Sequence, residues 1–187
     1  MGRHRLDDLH KEGFRMSLQS VEDLALSITL ETRVVASLET TFAALLEQAG
    51  PQFETPEGRK LSMVLEPWPG GRWFRDLGNG NGHFWGNVQA IKRPTLLELS
   101  GPLFASSPLF SNLQYRLTEI PEGTMISFRH TALGFVVVDG ALASAKGREQ
   151  QQISEGWQYL LERVRQQAES GQAAGQPVSV RAGHNGR

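Results

Sequence analysis

The sequence predicts an α+β domain. One strand, a short helix, about six further antiparallel strands and a long C-terminal helix follow in order, with the helices packed on one face of a curved sheet. Three observations carry this prediction. Ser27 to Val35 sets Ile28, Leu30, Thr32 and Val34 against Thr29, Glu31 and Arg33, the period of two of a half-buried strand. Between residues 61 and 133, turns rich in Pro, Gly and Asn separate short segments suited to strands. From about Arg148 to Glu169, Ile153, Trp157, Leu160, Leu161 and Val164 recur at spacings of three and four, the apolar stripe of an amphipathic helix.

Each element has a local reason. After the first strand, Ser37 offers a hydroxyl N-cap with Thr40 at the capping-box position. Phe42, Leu45 and Leu46 then follow at helical spacing until Gly50-Pro51 stops the run. LSMVLEP, GRWFRDL and HFWGNVQAIK come next, divided by Pro69-Gly70-Gly71 and by the hairpin signal Gly78-Asn79-Gly80-Asn81-Gly82. Arg93-Pro94-Thr95 precedes LLELSGPL, and a stretch rich in Pro and Ser spans Pro102 to Pro108. NLQYRLTEI pairs through Pro121-Glu122-Gly123 with TMISFRHTAL. In that hairpin Leu113, Tyr115 and Leu117 share one parity and Ile126, Phe128 and His130 the matching one, so these side chains are expected to face the helices. Gln114, Arg116, Thr118, Ser127, Arg129 and Thr131 take the watery face.

Length and composition bound the rest. The 187 residues suit one domain able to bury a sizeable core. Without any cysteine, disulfide scaffolds, Cys-ligated metals and thiol nucleophiles are excluded. Nineteen Lys and Arg against 20 Asp and Glu give a formal charge of −1, so the basic footprint of a nucleic-acid binder is missing. Residues 1–25 carry charges where an export signal needs an apolar run, and they read as an N-terminal extension, a short helix or disordered, with Met16 as an alternative start. No stretch is long and apolar enough to span a bilayer, and a cytoplasmic location with no membrane insertion is expected. The domain is expected over residues 26–169, followed by a disordered tail over 170–187 rich in Gly, Ala, Gln and Ser.

The order of elements combines with specific segments. Glu-Pro-Trp-Pro-Gly-Gly-Arg-Trp occupies 66–73, Gly-His-Phe-Trp-Gly-Asn-Val 82–88 and Pro-Thr-Leu-Leu-Glu-Leu 94–99, joined by Gly123-Thr124, His130 and Gly156-Trp157. From Leu26 to Ala168 this arrangement resembles the SRPBCC superfamily, also called START-like or helix-grip. Within it, the bacterial branch related to the ATPase activator of the ninety-kilodalton heat-shock chaperone is the most similar. The resemblance implies a sheet of about six to seven strands wrapped on the C-terminal helix, with room for an apolar pocket between them. It does not choose a function, since the superfamily hosts lipid carriers, hormone receptors, polyketide cyclases and chaperone activators on one scaffold.

Few residue patterns carry chemistry. The five histidines, at 4, 10, 83, 130 and 184, include no pair spaced to hold zinc on a helix, and neither a metal nor another cofactor is expected. His83 and His130 both lie on expected strands; local structural roles are the simpler reading of each. The Gly78–Gly82 repeat opens a strand and not a helix, so it is a turn and no phosphate loop. Ser106, Ser107 and Ser111 fall in or beside the Pro-rich connection with no visible base partner. Among polar residues on strands, Arg72, Arg75, Asp76, Glu98, Tyr115 and His130 are candidate specificity groups; parity favours Tyr115 and His130 as inward and Glu98 as outward. The charged runs on the last helix, Glu162-Arg163 and Arg165, are expected to be solvated.

Three functions remain open. The first is binding of a small apolar or amphipathic molecule in a cavity between the C-terminal helix and the sheet, contacted by Trp73, Phe84, Leu97, Leu99, Tyr115, Phe128, His130 and Trp157. The second is a protein-interaction module similar to the chaperone activator, acting through its surface, although the short stretch before Leu26 lacks the further domain that true activators use for partner contact. The third is a cyclase- or hydratase-like enzyme with His130 or Tyr115 as acid or base, for which no catalytic residue is singled out. A homodimer through sheet or helix is compatible with all three.

Overall fold

A computed structural model of the chain describes residues 25–103, 109–134, 136–138, 141–143 and 148–175. The N-terminal extension before Ala25, Phe104, Ser106, Ser107 and the tail beyond Gly175 lie outside the described residues. The elements are β1 (Ala25–Val34), α1 (Leu38–Ala49), β2 (Met63–Leu65), β3 (Arg72–Gly78), β4 (Asn81–Lys92), β5 (Leu96–Gly101), β6 (Leu109–Ile120), β7 (Gly123–Gly134), β8 (Val136–Val138), β9 (Ala141–Ala143) and α2 (Arg148–Gly175). Strands β1 to β7 form one antiparallel sheet in the order β1-β7-β6-β5-β4-β3-β2, and β8 pairs with β9 as a separate hairpin.

The expected parity holds at the centre of the sheet. Leu113 pairs with His130, Tyr115 with Phe128 and Leu117 with Ile126, and all six side chains are buried. β1 closes against β7 with Ile28 opposite His130 and Leu30 opposite Phe128. The two helices pack against each other on this inner face, where Trp157, Leu160, Leu161, Val164 and Ala168 of α2 meet Phe42 and Leu45 of α1 in one apolar core. Ser37 caps α1 as its hydroxyl accepts from the Thr40 amide at 3.2 Å. At the other end the indole of Trp73 on β3 donates to the carbonyl of Ala49 at 2.7 Å, satisfying one of the carbonyls that a helix end leaves open.

The sheet bends where its register slips. Shifts fall between Trp73 and Phe74 and between Asp76 and Gly78 in the β3–β4 pairing, and between Val88 and Ala90 in β4–β5. An extra residue on one strand of a pair bends that strand and increases its twist. The bend brings β4 and β5 so close at Gly86 that a Cβ there would collide with the Ser100 carbonyl and the Gly101 backbone.

Helix α2 is longer than the sequence pattern indicates. It passes Glu169 and runs to Gly175, because a helix anchored by Val164 and Ala168 propagates through Gln172, Ala173 and Ala174, residues of good intrinsic helix propensity. Arg163 is not simply solvated either. Its guanidinium reaches Glu54 at 3.1 Å and Gln48 at 2.9 Å, while Tyr159 donates to Glu54 at 2.6 Å and Gln48 donates to Gln167 at 2.6 Å. This polar seam joins α2 to α1 and to the connection between α1 and β2. Arg165 follows the expectation more closely, pairing with Glu162 on the helix surface at 2.6 Å.

Gly86→Ala is expected to lower the free energy of unfolding by about 1–3 kcal/mol, the usual range for forcing atoms into a filled space. Urea denaturation of the variant beside the parent chain measures it.

Candidate functional site

The centre of the inner face is built by β5, β6, β7 and α2. Leu97 and Leu99, Ser111, Leu113 and Tyr115, Phe128 and His130, and Trp157 each retain 4% of their surface or less. The aromatic rings are in mutual contact. Tyr115 and Phe128 stand 4.7 Å apart between centroids, Phe128 and Trp157 5.4 Å, and His130 and Trp157 5.7 Å with the rings nearly perpendicular.

One hydrogen bond organises this cluster. The indole nitrogen of Trp157 donates to Nδ1 of His130 at 3.1 Å. An indole N–H has no accepting capacity, so Nδ1 must present a lone pair and the ring proton must sit on Nε2. Burial disfavours the imidazolium and pulls the His130 pKa from 6.5 down to about 4. The ring is therefore neutral at pH 7. Burial also pushes the Tyr115 phenol far above its ordinary value, which keeps its proton in place.

Three polar atoms in this apolar region have no partner: His130 Nε2, Tyr115 Oη and Ser111 Oγ. Their positions are related by the strand register. His130 lies opposite Leu113, and Ser111 and Tyr115 are the two same-face neighbours of Leu113 along β6. Both are thus diagonal to His130, about 7–8 Å away between backbones. A buried polar group without a partner costs about 1–3 kcal/mol, so three around one leucine form an unusual concentration. Ser111 entered the sequence reading only as a serine beside the Pro-rich connection. It lies within β6, which begins at Leu109, and its parity with Leu113 and Tyr115 was the available signal.

The remaining expected contacts separate. Trp73 is fully buried but belongs to a second aromatic group under the end of α1, 5.1 Å from Trp85, which in turn stands 5.5 Å from Phe53. Phe84 must be corrected: it is 44% exposed, paired with Phe74 on the outer face. The register slip beside Trp73 is the cause, because it breaks the alternation from Gly86 back to Phe84 and turns Trp85 inward instead. His83 is exposed and accepts from the Trp85 indole at 3.2 Å, with β5 and β6 lying between its strand and that of His130, so the two histidines do not converge. Glu98 faces outward as expected and accepts from Asn112 at 2.9 Å. Arg72 pairs with Glu66 at 2.6 Å and Asp76 is exposed. Arg75 lies three strand spacings from β6, about 14 Å along the sheet.

An open groove of about 590 Å³ does exist, between β1 and the first turns of α2, lined by Ser27, Thr29, Gln150, Ser154 and Glu155 among others. None of the eight expected ligand contacts lines it. Its polar walls and width to solvent suit a surface cleft, and the unpartnered groups of the inner face make the interior the stronger candidate site. Among the described residues no group of His, Asp or Glu is placed to hold a metal ion, and no helix is long and apolar enough to cross a membrane.

Comparison with solved structures places this architecture among known folds. The di-domain aromatase/cyclase StfQ of the steffimycin biosynthetic pathway superposes with a TM-score of 0.60 at 15% identity, covering 81% of this chain and 53% of that one. The di-domain aromatase/cyclase BexL of the BE-7585A pathway gives 0.54 at 19% identity, covering 83% and 52%. The fold is the helix-grip fold. A protein of Chromobacterium violaceum matches along nearly its whole length, with a TM-score of 0.56, 18% identity and coverage of 77% of this chain and 98% of that one. The chain thus spans about half the length of the two di-domain proteins. At these identities the likeness is one of fold alone. No family model matches the chain, and no curated protein matches it.

His130 gives stability a defined pH dependence. The unfolded chain takes up a proton near pH 6.5 and the folded chain only near 4, so the contribution of neutral His130 is complete above 6.5 and shrinks as pH falls between these values. The expected loss by pH 4.5 is about 2–3 kcal/mol relative to a His130→Gln variant, whose amide can still accept from Trp157. Denaturant melts of both proteins at pH 7 and 4.5 measure the difference.

Proposed function

We propose that this protein binds a small apolar or amphipathic molecule in its interior, between α2 and the inner face of β5, β6 and β7. The observation that carries this reading is the set of unpartnered buried atoms on Ser111, Tyr115 and His130. A core selected only for packing would favour Phe at 115 and Ala at 111, since an apolar group of the same shape avoids the cost of desolvation. Retaining hydroxyls there is explained if a bound molecule satisfies them. Leu97, Leu99, Phe128 and Trp157 supply the apolar walls, the combination of hydrocarbon surface and few polar groups typical of small-molecule sites. The rings touch one another, so this reading requires α2 and the sheet side chains to part as the guest enters.

A second reading, an enzyme of the cyclase kind using the same interior, is favoured by the likeness of fold to StfQ and BexL. It adds a reaction to the same binding event and leaves the binding residues unchanged. The surface-acting module similar to the chaperone activator rests on sequence resemblance alone, and partner capture with the purified chaperone tests it separately.

Native mass spectrometry of the protein from its own host, repeated after denaturation, is expected to show a stoichiometric small molecule that denaturation releases. Tyr115→Phe is expected to reduce its retention while raising the free energy of unfolding by about 1 kcal/mol, because it deletes an unpartnered buried hydroxyl and nothing else. Ser111→Ala is expected to act in the same direction. A fall in stability of about 1 kcal/mol or more in Tyr115→Phe would show that the hydroxyl serves the fold, and the proposal would be lost.

A further inference from the structure

Resting on interior binding, we infer that the molecule taken up carries a neutral oxygen acceptor, a carbonyl on an otherwise apolar framework, held by the hydrogens of His130 Nε2 and Tyr115 Oη with Ser111 Oγ beside them. Trp157 sets the polarity of the site. Its indole N–H occupies the one lone pair that neutral His130 possesses, at 3.1 Å. The other ring nitrogen is then a donor and cannot accept. It is buried and has no partner. Tyr115 and Ser111, diagonal to His130 across β6 and β7, add two hydroxyls that are equally unmet. The polar demand of this region is thus for an acceptor, and a guest that brought only donors would leave Nε2–H unsatisfied.

The acceptor must also be uncharged. Among the described residues no Asp, Glu, Lys or Arg side chain is fully buried, so nothing in the interior compensates an ion. An isolated carboxylate moved there from water would lose far more solvation than three neutral donors return. Arg75 belongs to β3, three strand spacings from β6, and is not part of this group. An alcohol oxygen could accept as well, but its own hydrogen would then have to be taken by the Ser111 or Tyr115 hydroxyl oxygen, a second geometric condition that a carbonyl does not impose. A carbonyl oxygen offers two lone pairs and no hydrogen, so it can meet two of the donors at once.

The tautomer also limits any chemistry at the site. With Nδ1 held by Trp157, His130 has no lone pair free to remove a proton. Its role toward a bound carbonyl is that of a hydrogen-bond donor that polarises the C=O bond. Of the acid or base role expected of His130 from sequence, this arrangement argues against the base.

The test uses three probes of one shape with the full-length chain: 9-fluorenone, fluorene, in which a methylene replaces the carbonyl, and fluorene-9-carboxylate. Calorimetric titration is expected to show fluorenone binding about tenfold more tightly than fluorene, one charge-free hydrogen-bond set's worth of affinity, and the carboxylate binding least. In Tyr115→Phe, and separately in Ser111→Ala, fluorene affinity is expected to persist while the preference for fluorenone shrinks. The carbonyl stretch of bound fluorenone should lie below its position in hexane and move back in Tyr115→Phe. Nitrogen NMR of the parent chain at pH 7 should find the His130 proton on Nε2. Equal binding of fluorenone and fluorene, tightest binding by the carboxylate, or a proton on Nδ1 would each overturn the acceptor inference and leave interior binding standing. Failure of all three probes to bind would overturn interior binding and the inference with it.

Discussion

The seat of α2 on the sheet is the constraint on which the other features depend. Trp157 occupies the middle of that seat, its ring against Phe128 and His130 and its N–H on His130 Nδ1. A buried indole needs an acceptor, and in an apolar interior a neutral imidazole is one of few side chains able to provide it. The contact therefore fixes the rotation of the helix about its axis, the charge state of the histidine and the nitrogen that carries its proton. Leu160, Leu161, Val164 and Ala168 follow into the core at the spacing the helix dictates.

The sheet answers this helix by bending. Irregularities in the pairings of β3 with β4 and β4 with β5 let its far end curve toward α1, where Trp73, Trp85 and Phe53 make a second aromatic group closed by the Trp73 bond to Ala49. Between the helices, Gln48, Glu54, Tyr159, Arg163 and Gln167 satisfy one another in a polar seam. The contrast with the inner face is instructive. The seam's groups are paired, whereas Ser111, Tyr115 and His130 each keep an unpartnered buried atom, as do Thr41, Thr55 and Arg75 elsewhere. What sets the inner-face three apart is their gathering around one leucine.

Likeness of fold to di-domain aromatase/cyclases and to the Chromobacterium violaceum protein supplies the scaffold and no more, because one helix-grip frame supports unrelated activities. Function at this site turns on individual atoms: a tautomer that follows from the one-way chemistry of an indole N–H, and a strand register that gathers three unmet polar groups around one leucine.

The sequence by itself determined the element order, the inward parity of β6 and β7 and the apolar stripe of α2, because these depend on periods of two and 3.6 that neighbouring residues set locally. Tyr115 and His130 were legible as inward for the same reason. Other features depended on contacts between residues distant in the chain. The slip beside Trp73 sent Phe84 outward and Trp85 inward, and no local pattern records where one strand gains a residue over its partner. Arg163 was drawn from a solvated face into the seam with Glu54, and α2 outran its apolar period once its middle was anchored. The acceptor on His130, the proton on its other nitrogen and the company of Ser111 were decided only by tertiary structure, since each requires β6, β7 and α2 to meet.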